Sequence, residues 1–163
     1  MIKAIVCVDE NWGIGKNNDL LFNIPEDMKF FRNTTKNSIV FCGYNTLLSF
    51  PGSKPLKNRS TICLCPEDVE RDDCFCIHNF EEAVQLVKEL AKTQDVFVIG
   101  GAMLYESMLP YYDEVLVTRV QANGEGTVFF PNLDKNNDFD LYGCSRTIED
   151  NGYMIKFCIY RKV

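Results

Sequence analysis

Residues 96–109, VFVIGGAMLYESML, decide the fold. Four apolar residues from Val96 to Ile99 suit a strand covered on both faces, Gly100 and Gly101 interrupt the run, and a helix follows. That order aims backbone N–H groups and the positive helix end at whatever lies over the glycines, which suits a diphosphate. The full Gly-x-Gly-x-x-Gly pattern is missing, so the segment alone reads equally well as a tight turn.

Working outward, strand and helix alternate. IKAIVCV (2–8), SIVFCG (38–43), STICLC (60–65) and CFCIH (74–78) read as strands, with helices opened by Pro25, through YNTLLSF (44–50) and over residues 80–92. After the helix near AMLYESML come EVLVTRV (114–120) and TVFF (127–130). Two final runs, 139–145 and 152–163, are joined by the turn-rich IEDNG and read as an antiparallel hairpin. The expectation is an α/β fold, a single domain over residues 1–163 with a central, mostly parallel twisted sheet of about eight strands, that C-terminal hairpin, and about four flanking helices. No internal repeat, low-complexity tract or linker interrupts it, and NGEG (123–126) is a loop.

The chain has 163 residues, 46% hydrophobic, enough for a sizeable core. A net charge of −6 and a sequence pI near 4.8 disfavour nucleic acid as a partner, because phosphate binding needs a basic face. The first apolar run, AIVCV, is too short for a signal or a membrane span, so a cytoplasmic protein with no membrane partner is expected. Eight cysteines lie mostly inside strand-like runs and read as reduced thiols. Cys63, Cys65, Cys74 and Cys76 form two Cys-x-Cys pairs, but that spacing puts both thiols on one strand face, unlike the turns that hold structural zinc, so no metal is expected.

In LFNIPEDMKFF (21–31), Pro25 suits a first helical turn. Winding the helix sets Ile24, Met28, Phe31 and Thr35 on an apolar arc opposite Glu26, Lys29, Arg32 and Asn33. Asp27 falls inside that arc, between Phe30 and Phe31. A first-turn acid is favourable beside the helix dipole, which explains Asp27 blandly, while partial desolvation among aromatic rings would make it a fixed partner for a polar ring edge. Upstream, NWGIGKNNDL (11–20) is a second Gly-x-Gly loop, a lid or a long turn.

Taken in order, these pieces resemble dihydrofolate reductases. Residues 4–35 match that family's first strand, mobile loop and first helix; VFCGYNTLLSF (40–50) resembles its Gly-x-x-Thr cofactor segment; VIGGAMLYESMLP (98–110) resembles its Ile-Gly-Gly turn; LVTRV and GTVFFP resemble its later strands. The resemblance spans nearly the whole chain. It implies reduction of 7,8-dihydrofolate to tetrahydrofolate by hydride from NADPH, performed by a monomer.

It also implies residue roles. Asp27 is the pterin anchor and supports ring protonation, with Phe22 and Thr118 as the other catalytic positions. Ile5, Cys7, Met28, Phe31, Phe50, Leu56 and Ile99 match substrate-lining positions, and Arg59 matches the arginine for the glutamate carboxylate, a task suited to a bidentate guanidinium. On the cofactor side, the backbone of Cys7 and Ile14 matches the groups that hold the nicotinamide amide, and Gly15, Asn18 and Leu20 match further cofactor-binding positions. Thr46, Gly100, Gly101 and Tyr105 match positions around the diphosphate and nicotinamide, and Gly43, Tyr44, Asn45, Ile99, Ala102, Met103 and Leu104 match further cofactor-binding positions. Leu64, Cys65, Pro66 and His78 match the strand ends near the ribose 2′-phosphate.

Tyr44, Cys65-Pro66 and Met103 stand where the family commonly has basic or hydroxyl residues, so weaker discrimination against NADH is expected and NADH use stays open. His78 ends a strand in the right neighbourhood to help. Phe22 replaces the usual tryptophan and cannot donate its hydrogen bond. Two other readings are a riboflavin-pathway pyrimidine reductase of similar fold and a nucleotide-binding module without catalysis. Asp27 and Arg59 argue against the first, and Asp27, Thr118 and Arg59 together against the second.

Overall fold

A computed structural model describes residues 1–17 and 19–163. In chain order its elements are β1 (Ile2–Val8), β2 (Gly13–Gly15), α1 (Pro25–Thr35), β3 (Ile39–Gly43), α2 (Tyr44–Ser49), β4 (Ser60–Leu64), β5 (Phe75–Ile77), α3 (Phe80–Leu90), β6 (Val96–Val98), α4 (Ala102–Ser107), β7 (Glu114–Val120), β8 (Val128–Phe129), β9 (Phe139–Cys144), β10 (Ile148–Asp150) and β11 (Tyr153–Lys162). Eight strands of the main sheet follow the order β10-β11-β7-β1-β6-β3-β4-β5, and a ninth, β9, pairs with β11 off that path. The architecture is the expected mostly parallel α/β sheet with four α-helices. The chain forms two compact units, Met1–Lys3 with Thr35–Tyr111 and Ala4–Thr34 with Tyr112–Val163.

In the unit containing Thr35–Tyr111, β3 lies parallel to both β4 and β6, and β5 lies parallel to β4. Val40, Phe41 and Cys42 on β3 and Val96, Phe97 and Val98 on β6 are all buried, which is why their apolar runs are continuous rather than alternating. Asn79 caps α3 by accepting from the Glu82 amide at 3.1 Å, while Ala83, Val84 and Val87 face inward. That helix stops at Leu90, two residues short of the sequence expectation, with Ala91 as its C-cap.

In the unit containing Tyr112–Val163, β11 is antiparallel to β7, β9 and β10. The pairing of β9 with β11 is as expected, but the connection is not a plain turn: residues 148–150 form β10, and the tight turn is Asn151-Gly152. Both residues have positive φ, 52° and 84°, the conformation that matches hairpin twist. The 11–20 segment is likewise not simply a loop, since Gly13–Gly15 pairs with β8 as a separate two-stranded sheet. A Cβ on Gly13 would lie 3.0 Å from the Asp9 carboxylate oxygens, and one on Gly15 would lie 3.0 Å from Val128 Cγ2. Here the glycines allow close approach of backbone to its neighbours.

The reading of all eight cysteines as thiols is corrected. The antiparallel register sets Cys144 directly opposite Cys158, and the two are joined in a disulfide. Cross-strand register brought them together, and spacing along the sequence does not reveal it.

Candidate active site

In the second unit the Thr118 hydroxyl donates to Asp27 Oδ1 at 2.6 Å, and Thr118 is 1% exposed. The sequence brings α1 to this place through three devices. Pro25 has no amide hydrogen to satisfy, the Glu26 amide donates to Asp150 Oδ2 at 2.7 Å, and Asn151 Nδ2 donates to the Asn23 carbonyl at 2.7 Å. The β10–β11 hairpin therefore caps the helix that carries Asp27. Asp150 and Asn151 lay in what looked like a bare turn, and nothing local to them signals that role.

Beneath the carboxylate, Ile24, Val120 and Ile155 form a buried cluster, with Cys7, Phe22, Tyr153 and Phe157 packed against it. Phe22 meets Tyr153 edge-on at 4.9 Å, and Phe30 meets Phe157 at 4.6 Å. Burial lifts the Asp27 carboxyl above its ordinary range, opposed by hydrogen bonds from Thr118 and Cys7. Burial and the neighbouring Asp27 charge push the Cys7 thiol up, so it stays protonated as a donor.

That shift has a consequence for stability. A carboxyl whose folded pKa exceeds its unfolded value binds protons more tightly in the native state, so stability falls as pH rises from the ordinary value of 3.8 through the raised folded one. Above that window the ionised Asp27 is a net cost. Asp27→Asn is therefore expected to melt higher than the wild type at neutral pH, with the gap closing as pH drops toward the unfolded value. Parallel thermal melts across that range check it, and a gap independent of pH would contradict it.

On the inward arc of α1, Ile24 and Thr35 are buried and Asp27 and Phe31 half-buried, while Met28 is 49% exposed. Ile5 is buried on β1, Ile14 and Phe31 are half-buried, Gly15 is buried in β2, and Leu20 is exposed. Asn18 lies outside the described residues.

A group that the sequence reading did not single out organises the glycine segment of this unit. Asp9 is 1% exposed, yet its carboxylate accepts from the amides of Asn11 (2.8 Å), Gly13 (2.7 Å) and Gly124 (3.0 Å). One buried acid thus ties the start of the 11–15 segment to the 123–126 loop. An acidic residue just past an apolar strand is the only signal for it in the chain, and that signal is common.

In the first unit, the Gly43 amide donates to the Gly100 carbonyl at 2.9 Å, so β3 ends against the paired glycines. Gly43 and Gly101 are the N-caps of α2 and α4, and neither helix has a side-chain cap. A Cβ on Gly101 would come to 3.5 Å from Thr46 Oγ1, and one on Gly100 to 3.2 Å from the Tyr105 ring. Gly43, Thr46, Gly100, Gly101 and Tyr105 are thus brought together, leaving uncapped amides beside backbone with no side chain to block it. This cradle fits a dinucleotide diphosphate. Tyr44 and Asn45 begin α2; Ile99 and Leu104 are buried, Ala102 is half-buried, and Met103 is 85% exposed.

Arg59 is held by its Nε to Thr35 Oγ1 at 3.0 Å and by Nη1 to the Lys57 carbonyl. Phe50 caps α2 at its C-terminus, and Leu56 is half-buried in the loop before β4. Leu64 ends β4, and the Cys65 amide continues the pairing to the Ile77 carbonyl at 2.8 Å, with Pro66 exposed beyond it. His78 Nδ1 lies 2.9 Å from the Pro66 carbonyl and Nε2 lies 3.0 Å from Glu70 Oε1. Both ring nitrogens therefore face protein acceptors. Arg71, also not singled out from sequence, donates to both Asp73 oxygens at 2.9 and 2.7 Å and to the Ser53 carbonyl at 2.8 Å, with Tyr44 beside it. Among the described residues no cluster of His, Cys, Asp or Glu is arranged to hold a metal ion, and no helix is long and apolar enough to cross a membrane.

A mostly parallel α/β sheet with a paired-glycine cradle and a desolvated carboxylate at a helix start defines a class, the nicotinamide-dependent reductases of small polar heterocycles. Residues 1–162 match the family model described as dihydrofolate reductase, and the chain belongs to that family. It is 31% identical to the dihydrofolate reductase of Bacillus subtilis, across 99% of this chain and 95% of that one. It is 32% identical to the mouse enzyme, across 99% and 97%. A solved structure of the Enterococcus faecalis dihydrofolate reductase complexed with NADP(H) and RAB-propyl superposes with a TM-score of 0.85 at 26% identity, covering 99% of this chain and 96% of that one. The pyrimidine-reductase reading is not favoured.

Proposed function

We propose that this chain, as a single dihydrofolate reductase-like domain over residues 1–163, reduces 7,8-dihydrofolate to 5,6,7,8-tetrahydrofolate with NADPH. The observation that carries the reading is the Thr118–Asp27 bond at 2.6 Å on a partly desolvated helix start. Asp27 accepts two parallel hydrogen bonds from the 2-amino group and a ring nitrogen of the pterin, and Thr118 and the Cys7 thiol fix its orientation. The same carboxylate supports protonation of the ring nitrogen beside the carbon that takes the hydride. Ile5 and Ile99 offer backbone carbonyls to the pterin; Phe31, Leu56 and Phe50 line its apolar surroundings; and Arg59 binds the glutamate carboxylate through its guanidinium.

Gly43, Thr46, Gly100, Gly101 and Tyr105 hold the cofactor diphosphate, and the backbone of Cys7 and Ile14 holds the nicotinamide amide. The bound nicotinamide supplies the hydride. The protein supplies alignment and exclusion of water. The enzyme works as a monomer in the cytoplasm.

Selectivity between NADPH and NADH rests on Arg71. No basic residue follows Gly43 directly, but the Arg71 guanidinium reaches Tyr44 from the loop after β4. Its prior engagement with Asp73 keeps the preference for NADPH modest. Steady-state rates of cofactor oxidation with dihydrofolate test this. Arg71→Ala is expected to lower kcat/KM for NADPH about tenfold and leave NADH unchanged. Equal effects on the two cofactors would remove Arg71 from phosphate recognition, and no turnover by folded wild-type protein with either would overturn the reductase.

A further inference from the structure

Three neighbouring strands carry a row of thiols. The parallel registers set Cys42 on β3 opposite Cys63 on β4, and Cys63 opposite Cys76 on β5. Cys65, one residue past β4, lies with its Sγ only 2.9 Å from Cys76 Sγ. That separation is well inside the contact distance of two non-bonded sulfurs. The backbone around the pair is fixed, since the Cys65 amide donates to the Ile77 carbonyl at 2.8 Å. The Cys76 thiol also faces the Val69 carbonyl at 3.8 Å, so the intervening loop folds back over it.

The two sulfurs differ in access. Cys42 and Cys63 are fully buried and Cys65 is 4% exposed, whereas Cys76 is half-buried on β5, the strand at the end of the sheet path. A reagent from solution therefore meets Cys76 first, with Cys65 directly behind it.

We propose that Cys65 and Cys76 are a reversible thiol-oxidation site, in which Cys76 is the attacking sulfur, Cys65 the resolving one, and a low-molecular-weight disulfide the oxidant. The Cys76 thiolate attacks one sulfur of the reagent, forming a mixed disulfide and expelling one reagent thiolate. Cys65 then attacks Cys76 Sγ, forming the protein disulfide and expelling the second. The two protons leaving the cysteines end on the two reagent thiols, so one disulfide is reduced as another is made. Burial pushes the Cys65 thiol up, which disfavours Cys65 as the first attacker; its later attack is intramolecular, on a sulfur only 2.9 Å away. The product closes residues 66–74, the loop bearing Arg71, into a covalent ring. The chemistry at this pair is independent of what the protein catalyses.

The test is peptide mapping of the reduced, desalted wild-type protein after exposure to oxidised glutathione and alkylation of remaining thiols. A disulfide between the peptides carrying Cys65 and Cys76 is expected, with loss of two alkylatable thiols at those positions and their recovery on adding dithiothreitol. In Cys65→Ser the reaction should stop halfway, trapping glutathione on Cys76. Both cysteines remaining alkylatable in the wild type, a stable glutathione adduct there, or a bond from Cys76 to Cys63 would each overturn the proposal. Should Cys65→Ser fail to fold, the wild-type map alone decides.

Discussion

Asp27→Asn is expected to lower turnover of dihydrofolate by roughly 10²–10⁴-fold, the span usually lost with a proton-handling group. Asparagine keeps the shape, and its oxygen can still accept from Thr118 as Asp27 Oδ1 does at 2.6 Å. What it loses is the second acceptor and the charge. A side-chain amide presents a donor to one of the two pterin N–H groups that a carboxylate would accept, and it cannot stabilise positive charge on the ring as a proton arrives. The loss should appear in both kcat and kcat/KM, since the interaction grows toward the transition state. The same substitution is expected to raise the melting temperature at neutral pH, because it removes a desolvated charge. Loss of rate with gain of stability would separate a functional carboxylate from a capping one. A fall in rate of less than tenfold would mean that Asp27 merely caps α1.

Gly100→Ala is the second large effect. Gly100 has φ of +114°, a conformation an L side chain rarely adopts, and an added Cβ would lie 3.2 Å from Tyr105 Cε2. Tyr105 cannot easily retreat: it is buried, and its amide donates to the Gly101 carbonyl at 2.9 Å. The methyl therefore meets strain in the backbone and a fixed ring together, for a cost of about 2 kcal/mol in stability. The movement that relieves it displaces the Gly43–Gly100 contact and the amides beside it, so the KM for the nicotinamide cofactor should rise at least tenfold. Gly143→Ala is the matched control. A Cβ there would meet nothing within 4 Å, and Gly143 φ is not positive. It should stay within about 0.5 kcal/mol of the wild type. Equal effects of the two substitutions, by denaturant unfolding and cofactor titration, would show that neither the conformation nor the Tyr105 contact matters.

How legible the site was differs from residue to residue. Asp27 was visible because a charged residue on an apolar arc is a local contradiction, and such contradictions mark function or capping. Gly100 and Gly101 were visible because paired glycines after a buried strand are local punctuation. Met28 is exposed although it shares the arc of buried Ile24 and Thr35, because a helical wheel fixes relative angles and not how far along the helix neighbours cover each side chain. The long-range roles of Asp9 and Asp150 were invisible because the partners concerned, Gly124 and Glu26, lie 115 and 124 residues away along the chain. The same holds for Arg71, whose neighbours Ser53 and Tyr44 belong to an earlier loop and helix.

By itself, the sequence determined the order of strands and helices, the α/β class, the glycine turn and the acid at the start of α1. Each of these is written in local periodicity, turn chemistry or composition, which act over a few residues. Only the tertiary structure decided that Ile148–Asp150 is a strand capping α1, that Cys144 pairs with Cys158, that Cys65 touches Cys76, and that His78 lies beside Glu70. Those are matters of register and of which distant groups share a neighbourhood. Short-range preferences leave them open, because they are settled when strands align to bury their apolar faces and the polar groups left over must find partners.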